Sequence, residues 1–190
     1  FESELSKALL KEKITYEIIF IDDGSTDDTY SKLSSLNKAN KNVKVIRFSR
    51  NFGKESAMLA GLKNASGSYV AIMDADLQHT PEMLILMYKK LINDYSFDCC
   101  CAYKSNREDE GSLKRTLTSL FYKINNKISD VKLLPGASDF RVFKKSVCDA
   151  ITSLDEKTRF LKGMFSWVGF NTIYVPYMPE KRMYGTSKWS

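Results

Sequence analysis

The chain has 190 residues, with 29 Lys plus Arg against 23 Asp plus Glu, for a formal net charge of +6. Apolar residues make up 43% and charged residues 27%, which excludes a disordered or collagen-like chain and fits one compact domain, or a domain with a modest appendage. No window approaches the roughly 18 consecutive apolar residues of a bilayer span, and the N-terminus lacks the order of a signal peptide, so the chain reads as soluble.

Apolar period and turn residues predict alternating strands and helices. Tyr16 to Ile21 is a short branched run that halts at Asp22-Asp23-Gly24-Ser25. Thr26 or Asp27 can cap a helix reaching about Asn40. Val43 to Phe48 reads as a second strand, and Glu55 to Asn64 as a helix after Gly53. Tyr69 to Met73 is a third strand ending at Asp74-Ala75-Asp76, and Pro81 sits in the first turn of a helix running to about Asn93. Phe97 to Ala102 is a fourth strand. This alternation argues for an α/β fold, a mostly parallel sheet flanked by helices. Such sheets take ligands beyond the carboxyl ends of their strands. The two acidic clusters, each directly after a strand, are therefore expected on one rim.

The later part is patterned differently. Leu113, Leu117, Leu120, Phe121, Ile124 and Ile128 make one apolar helical face, with Lys114, Arg115, Lys123 and Lys127 around it. Asp139 to Phe143 reads as a short strand, Thr158 to Trp167 as a helix stopped near Gly169, and Asn171 to Val175 as a strand. Residues 181–188 form a polar, basic loop. Residues 1–95 carry 13 basic and 13 acidic side chains, whereas residues 96–190 carry 16 and 10. The whole excess of charge thus lies in the second part, which suggests an anionic partner there. Cys99, Cys100, Cys101 and Cys148 have neither disulfide nor zinc spacing and read as small buried side chains in a reducing, cytosolic compartment.

Asp74, Asp76 and Gln78 place oxygen donors at alternate positions on a strand exit. Magnesium or manganese takes such hard ligands and completes its shell with water or substrate phosphate. A solvated turn is the plainer reading of an isolated Asp-x-Asp, but the preceding strand and the second acidic pair favour a metal. His79, beside the loop, is expected to be solvated or capping and not a ligand. Asp22-Asp23 fits either hydrogen bonding of a ribose or base edge, or a helix-capping turn.

Three motifs in this order, Asp22-Asp23-Gly24-Ser25, Asp74-Ala75-Asp76-Leu77-Gln78 and Arg182-Met183-Tyr184-Gly185-Thr186-Ser187-Lys188, resemble the family 2 inverting glycosyltransferases of the GT-A fold. The resemblance is closest to the polyprenyl-phosphate glycosyltransferases, which include bactoprenol-phosphate glucosyltransferases and dolichol-phosphate mannose synthases. Arg50-Asn51-Phe52-Gly53-Lys54, Ser138-Asp139-Phe140-Arg141 and Arg159-Phe160-Leu161-Lys162-Gly163 match the bactoprenol branch.

The resemblance implies a single GT-A (Rossmann-like) catalytic domain over 1–190, with a nucleotide-sugar half in 1–102 and an acceptor- and membrane-facing half in 103–190. It implies that Asp22 and Asp23 hold the base and ribose, with Lys54 also among the nucleotide-sugar contacts. Asp74, Asp76 and Gln78 would hold Mg2+ or Mn2+ and through it the diphosphate. Asp139 would be the acidic residue at the acceptor, usually assigned as base. Arg182, Lys188 and Arg141 would bind phosphate, although Arg141 equally suits an ion pair that supports Asp139. A phosphomonoester with a second pKa near 6 is already largely ionised at neutral pH, so Asp139 is expected to orient the acceptor as much as to remove a proton.

The reaction implied is transfer of a hexose, glucose from UDP-glucose foremost, to a polyprenyl phosphate such as undecaprenyl phosphate. A GDP-mannose-dependent synthase, a saccharide or protein acceptor, and a catalytically silent nucleotide-sugar-binding domain are the alternatives. Nucleic acid is disfavoured, because the basic stripe lacks interleaved aromatics. The helix over 113–128 suits either an ordinary packed face or an interfacial helix on an anionic membrane. The family's opening strand, with its Pro-x-Tyr-Asn-Glu type motif, is not seen before Phe1, and members usually continue into transmembrane helices. The chain is therefore expected to be cut, or unobserved, at both ends and to work at the cytoplasmic face of a membrane, with a homo-oligomer left open.

Overall fold

The structure, a computed structural model, describes residues 1–76, 78–104, 137–156 and 160–178. The amphipathic stretch 113–128, Arg159 and the basic loop with Arg182 and Lys188 lie outside the described residues. Twelve elements follow in the order α1 (Glu2–Lys11), β1 (Ile18–Asp22), α2 (Thr29–Ala39), β2 (Val43–Arg47), α3 (Lys54–Asn64), β3 (Tyr69–Ile72), α4 (Pro81–Asn93), β4 (Cys99–Lys104), β5 (Ala137–Lys144), α5 (Lys145–Ser153), α6 (Leu161–Trp167) and β6 (Thr172–Tyr177).

The expected strands and helices are all present among the described residues, with edges moved for local reasons. The first expected helix begins at Thr29 because Asp27 Oδ1 accepts the Thr29 N–H at 3.0 Å in a turn before it. The fourth strand begins at Cys99 because Asp94 Oδ1 closes a turn on the Ser96 N–H and hydroxyl. Thr80 caps α4, its hydroxyl accepting the Met83 N–H, with Pro81 following it. Two helices were not expected from the pattern. In α1, Leu5 and Leu9 are buried one turn apart. In α5, which follows β5 without a loop, the buried residues are Val147, Cys148 and Ile151.

The strands form two hydrogen-bonded groups. β1 and β2 are parallel, from Ile18 opposite Val43 to Asp22 opposite Arg47. The other four are ordered β3-β5-β4-β6. There β4 and β6 are parallel, while β5 runs against both of its neighbours. The one reversed strand matters for function. A parallel strand would bring its end to the carboxyl edge of β3, whereas β5 brings its beginning. Ile72 pairs with Arg141, so the same register continued by two residues sets Asp74 opposite Asp139.

The four-stranded sheet is buried on both faces, and the cysteine run shows how. Cys100 and Ala102 pack with Leu84, Met87, Leu91, Phe140 and Val142. Cys99, pointing the other way, packs with Phe143, Val147, Cys148, Leu161 and Phe165. All four thiols are buried and free. Burial pushes Cys99 and Cys100 up to about 12, which makes them inert packing groups, as the spacing predicts. Glu17 fastens β1 to its surroundings: Lys44 Nζ donates to one carboxylate oxygen at 2.7 Å, and the Ser66 N–H and hydroxyl donate to the other at 2.7 Å each. No helix among the described residues is long and apolar enough to cross a membrane.

Candidate active site

Three segments converge at the carboxyl ends of β1 and β3: the Asp22–Ser25 turn, the Arg50–Lys54 loop entering α3, and the Asp74–His79 turn. The first is an internal joint. Asp22 has no exposed side-chain surface, and its Oδ1 accepts the Ser25 N–H at 2.9 Å. Its Oδ2 lies 3.6 Å from the Arg47 Nε and accepts no hydrogen bond among the described residues. Arg47 in turn covers the Tyr30 ring, 4.4 Å from its centre. Gly24 follows with φ of 71°, and a Cβ there would come within 2.4 Å of the Arg50 carbonyl carbon. The turn and the loop thus touch backbone to backbone, and only glycine fits. Asp22, expected to meet the nucleotide, is sealed beneath this contact. Its Oδ1 closes the turn on the Ser25 N–H.

Asp23 points the other way and joins the turn to the loop. Its two oxygens accept the N–H groups of Phe52 and Gly53 at 2.7 and 2.9 Å. Gly53, with φ of 92°, is the N-cap of α3. Asp23 therefore sets where α3 starts and where its first residue, Lys54, is aimed.

Lys54 is the hub of the site. Its ammonium lies 3.0 Å from Asp74 Oδ2 and 2.8 Å from Asp139 Oδ2. It bridges the two carboxylates that the β3–β5 register sets face to face. Burial alone would push the Lys54 ammonium down, but the hydrogen bond and charge of Asp139 and the charge of Asp74 outweigh it and hold it above its ordinary value. Burial would likewise raise Asp139, yet Lys54, then Lys162 and Arg141, pull its carboxyl below its ordinary 3.8. Asp139 is thus an ionised, weakly basic carboxylate between two lysines, with Lys162 Nζ at 3.7 Å from its other oxygen.

Asp76 Oδ1 accepts the Gln78 N–H at 3.1 Å, which folds the turn back on itself at the rim. Among the described residues no group of three or more His, Cys, Asp or Glu is placed to cage a metal. Asp74 and Asp76 nonetheless offer hard carboxylate oxygens two residues apart. Magnesium and manganese are commonly held by one or two carboxylates plus substrate phosphates, and this donor set fits that pattern.

Two further residues lie deeper than expected. His79 is neither solvated nor a cap. It is 7% exposed, stacked on Phe140 at 4.4 Å, with Nε2 3.2 Å from the Tyr177 hydroxyl. Burial, only partly offset by the charges of Asp74 and Asp76, lowers its pKa and favours neutral imidazole. Arg141, expected to take phosphate, is 5% exposed. Its guanidinium donates to the Ser138 carbonyl at 2.9 Å and sits 4.0 Å over the Phe165 ring. It is buried on the inner strand β5 of the sheet.

Sequence reading missed two residues here. Lys162 reaches Asp139 from α6. Glu55, next to Lys54, accepts the Leu161 N–H at 2.9 Å and so ties the start of α6 to the start of α3. Both lie in stretches read as helices, and neither has a local pattern that would reveal its partner, 23 residues away for Lys162 and 106 for Glu55.

A family model described as glycosyl transferase family 2 matches residues 3–152. Relatives include a putative glycosyltransferase, CsbB, of Bacillus subtilis, 43% identical over 177 residues that cover 92% of this chain and 52% of that protein. A bactoprenol glucosyl transferase of Shigella phage SfV is 40% identical over 174 residues, 92% of this chain and 56% of that one. The chain spans a little over half the length of these relatives. Among solved structures, glucosyl-3-phosphoglycerate synthase of Mycobacterium tuberculosis, in complex with Mn2+, UDP and phosphoglyceric acid, superposes with a TM-score of 0.62 at 17% identity, covering 95% of this chain and 64% of that one. A mannosyltransferase of Pyrobaculum calidifontis in complex with GDP-Man and Mn2+ gives 0.57 at 19% identity, covering 92% and 50%. These likenesses show the fold, that of the GT-A glycosyltransferases.

Proposed function

Because the chain belongs to glycosyl transferase family 2, we propose that it is the catalytic domain of a metal-dependent hexosyltransferase moving a sugar, glucose from UDP-glucose foremost, onto a polyprenyl phosphate. The observation that carries this reading is the Lys54 bridge, which unites the Asp74-Ala75-Asp76 turn with Asp139 in one cleft. The phage relative named a bactoprenol glucosyl transferase supports the choice of acceptor.

In this reading an acceptor phosphate oxygen attacks the anomeric carbon from the face opposite the nucleoside diphosphate. The bond from that carbon to the diphosphate oxygen breaks, and the nucleoside diphosphate leaves with the electron pair, inverting the centre. Asp74 and Asp76, with Gln78, would hold a divalent cation, which when bound stabilises the charge developing on the diphosphate. Lys54 adds fixed positive charge on the same side. Asp23 keeps the Lys54 loop in place through its bonds to Phe52 and Gly53. Asp139 needs to remove no proton from a phosphate that is largely dianionic at neutral pH. It holds the two lysines in register and orients the acceptor. Arg182 and Lys188 are proposed as further phosphate contacts, and the membrane's cytoplasmic face as the place of reaction.

The test is a panel of UDP- and GDP-sugars, each with Mg2+ or Mn2+, assayed with the full-length protein on short- and long-chain polyprenyl phosphates. Inverted product from UDP-glucose, abolished by EDTA and restored by the metal, is expected. Product from GDP-mannose alone would reassign the donor, and transfer unaffected by chelation would remove the metal from the mechanism.

A further inference from the structure

Lys54 and Lys162 approach the same carboxylate from opposite sides, and their contacts differ. Lys54 makes two tight ones, 2.8 Å to Asp139 and 3.0 Å to Asp74. Lys162 makes one loose one, 3.7 Å to the other Asp139 oxygen, beyond hydrogen-bond reach, with a third of its side chain exposed. A loosely paired, partly exposed ammonium gives up little when it turns to another anion.

The backbone that carries Lys162 is nevertheless firmly placed. α6 has no cap from its own N-cap residue, Phe160. Its first N–H, from Leu161, is taken by Glu55 at 2.9 Å, across the chain from α3. The Phe160 ring lies over Gly163, where a Cβ would meet it at 2.8 Å, so this turn is packed as well as tethered. Phe160 itself is 46% exposed. An ammonium and an exposed aromatic ring therefore share one turn, with Asp139 beside them.

We propose that Lys162 is a phosphate-binding residue for the acceptor, that Glu55 is the residue that positions it, and that the two lysines beside Asp139 divide the anionic groups between them. Lys54 takes the donor diphosphate, and Lys162 takes the phosphomonoester of the lipid carrier, whose first apolar units meet Phe160. This assignment rests on the transferase reading for its roles, but its binding claim can be measured without turnover.

The experiment titrates the full-length protein with farnesyl phosphate, inorganic phosphate and farnesol, and separately with UDP plus Mn2+, following Kd by calorimetry. Lys162→Gln is expected to weaken farnesyl phosphate by about tenfold to a hundredfold while leaving the UDP Kd within about twofold. Glu55→Ala should weaken farnesyl phosphate in the same direction, and Glu55→Gln, which keeps an oxygen to accept the Leu161 N–H, should recover most of the loss. Farnesol binding should not respond to Lys162→Gln. Unchanged farnesyl phosphate affinity in Lys162→Gln, or a loss confined to UDP, would overturn the proposal. Inorganic phosphate binding as tightly as farnesyl phosphate would overturn the lipid assignment. Should the wild type bind farnesyl phosphate through Lys162 yet transfer no sugar to it, the transferase reading falls and the binding site stands.

Discussion

The acidic pair after β1 and the acidic pair after β3 are alike in sequence and in place, yet their carboxylates do different work. Asp22 and Asp23 accept backbone N–H groups from Ser25, Phe52 and Gly53, so this pair holds the architecture of the rim. Asp74 faces a lysine ammonium, and Asp76 ends the same turn at the cleft. The difference arises from what lies above each turn. The Arg50–Gly53 loop folds directly onto the first, with backbone contact at Gly24. Opposite the second comes the start of an antiparallel strand, carrying Asp139. A carboxylate under a loop becomes a structural acceptor, and one facing another carboxylate needs a cation between them.

The contrast predicts that variants of the two pairs fail in different ways. Asp74→Asn should lower kcat/KM for transfer by about a hundredfold or more while changing stability by no more than about 0.5 kcal/mol. Steady-state kinetics and urea unfolding on one preparation check both halves, and a large stability loss would erase the distinction. Asp139→Asn should also reduce turnover strongly, by one factor at about pH 5.5 and about pH 7.5, a range across which the acceptor phosphate titrates. The sign follows from its pairs. A folded-state pKa below the ordinary 3.8 leaves Asp139 ionised across that range, and the stabilisation by Lys54 and Lys162 is lost only as pH falls through that lower value. Turnover kept at the higher pH and lost at the lower would make Asp139 a true base.

On the structural side, Gly24→Ala combines a left-handed φ of 71° with a Cβ 2.4 Å from backbone, and should destabilise by about 2–4 kcal/mol, read from the urea midpoint. Asp22→Ala, which frees the Ser25 N–H, should cost about 1–2 kcal/mol and leave the Kd for UDP plus Mn2+ unchanged. Weakened UDP binding in a variant of undiminished stability would return Asp22 to the ligand.

The rim was legible before the fold because strand-exit carboxylates follow from local pattern alone. Tyr69 to Met73, a branched apolar run, has to be buried, and the polar residues after it have to emerge at one edge. The span of α4 from Pro81 to Asn93 was equally readable, since Thr80 and Pro81 mark its start. The amphipathic α1 and α5 went unread, although Leu5 with Leu9, and Val147 and Cys148 with Ile151, carry the helical spacing that would have found them.

By itself the sequence determined the α/β alternation, the two acidic turns on one rim, the buried thiols and the family resemblance, all of which depend on residue type and short-range spacing. Tertiary structure alone decided which acid faces the Lys54 ammonium, that Arg141 and His79 are buried, and that Lys54, Glu55 and Lys162 join α3, β3, β5 and α6 at one point. The physical reason is range. Propensity and hydrophobic period act within a few residues, whereas a charge finds its partner across the sheet, through the direction of one strand.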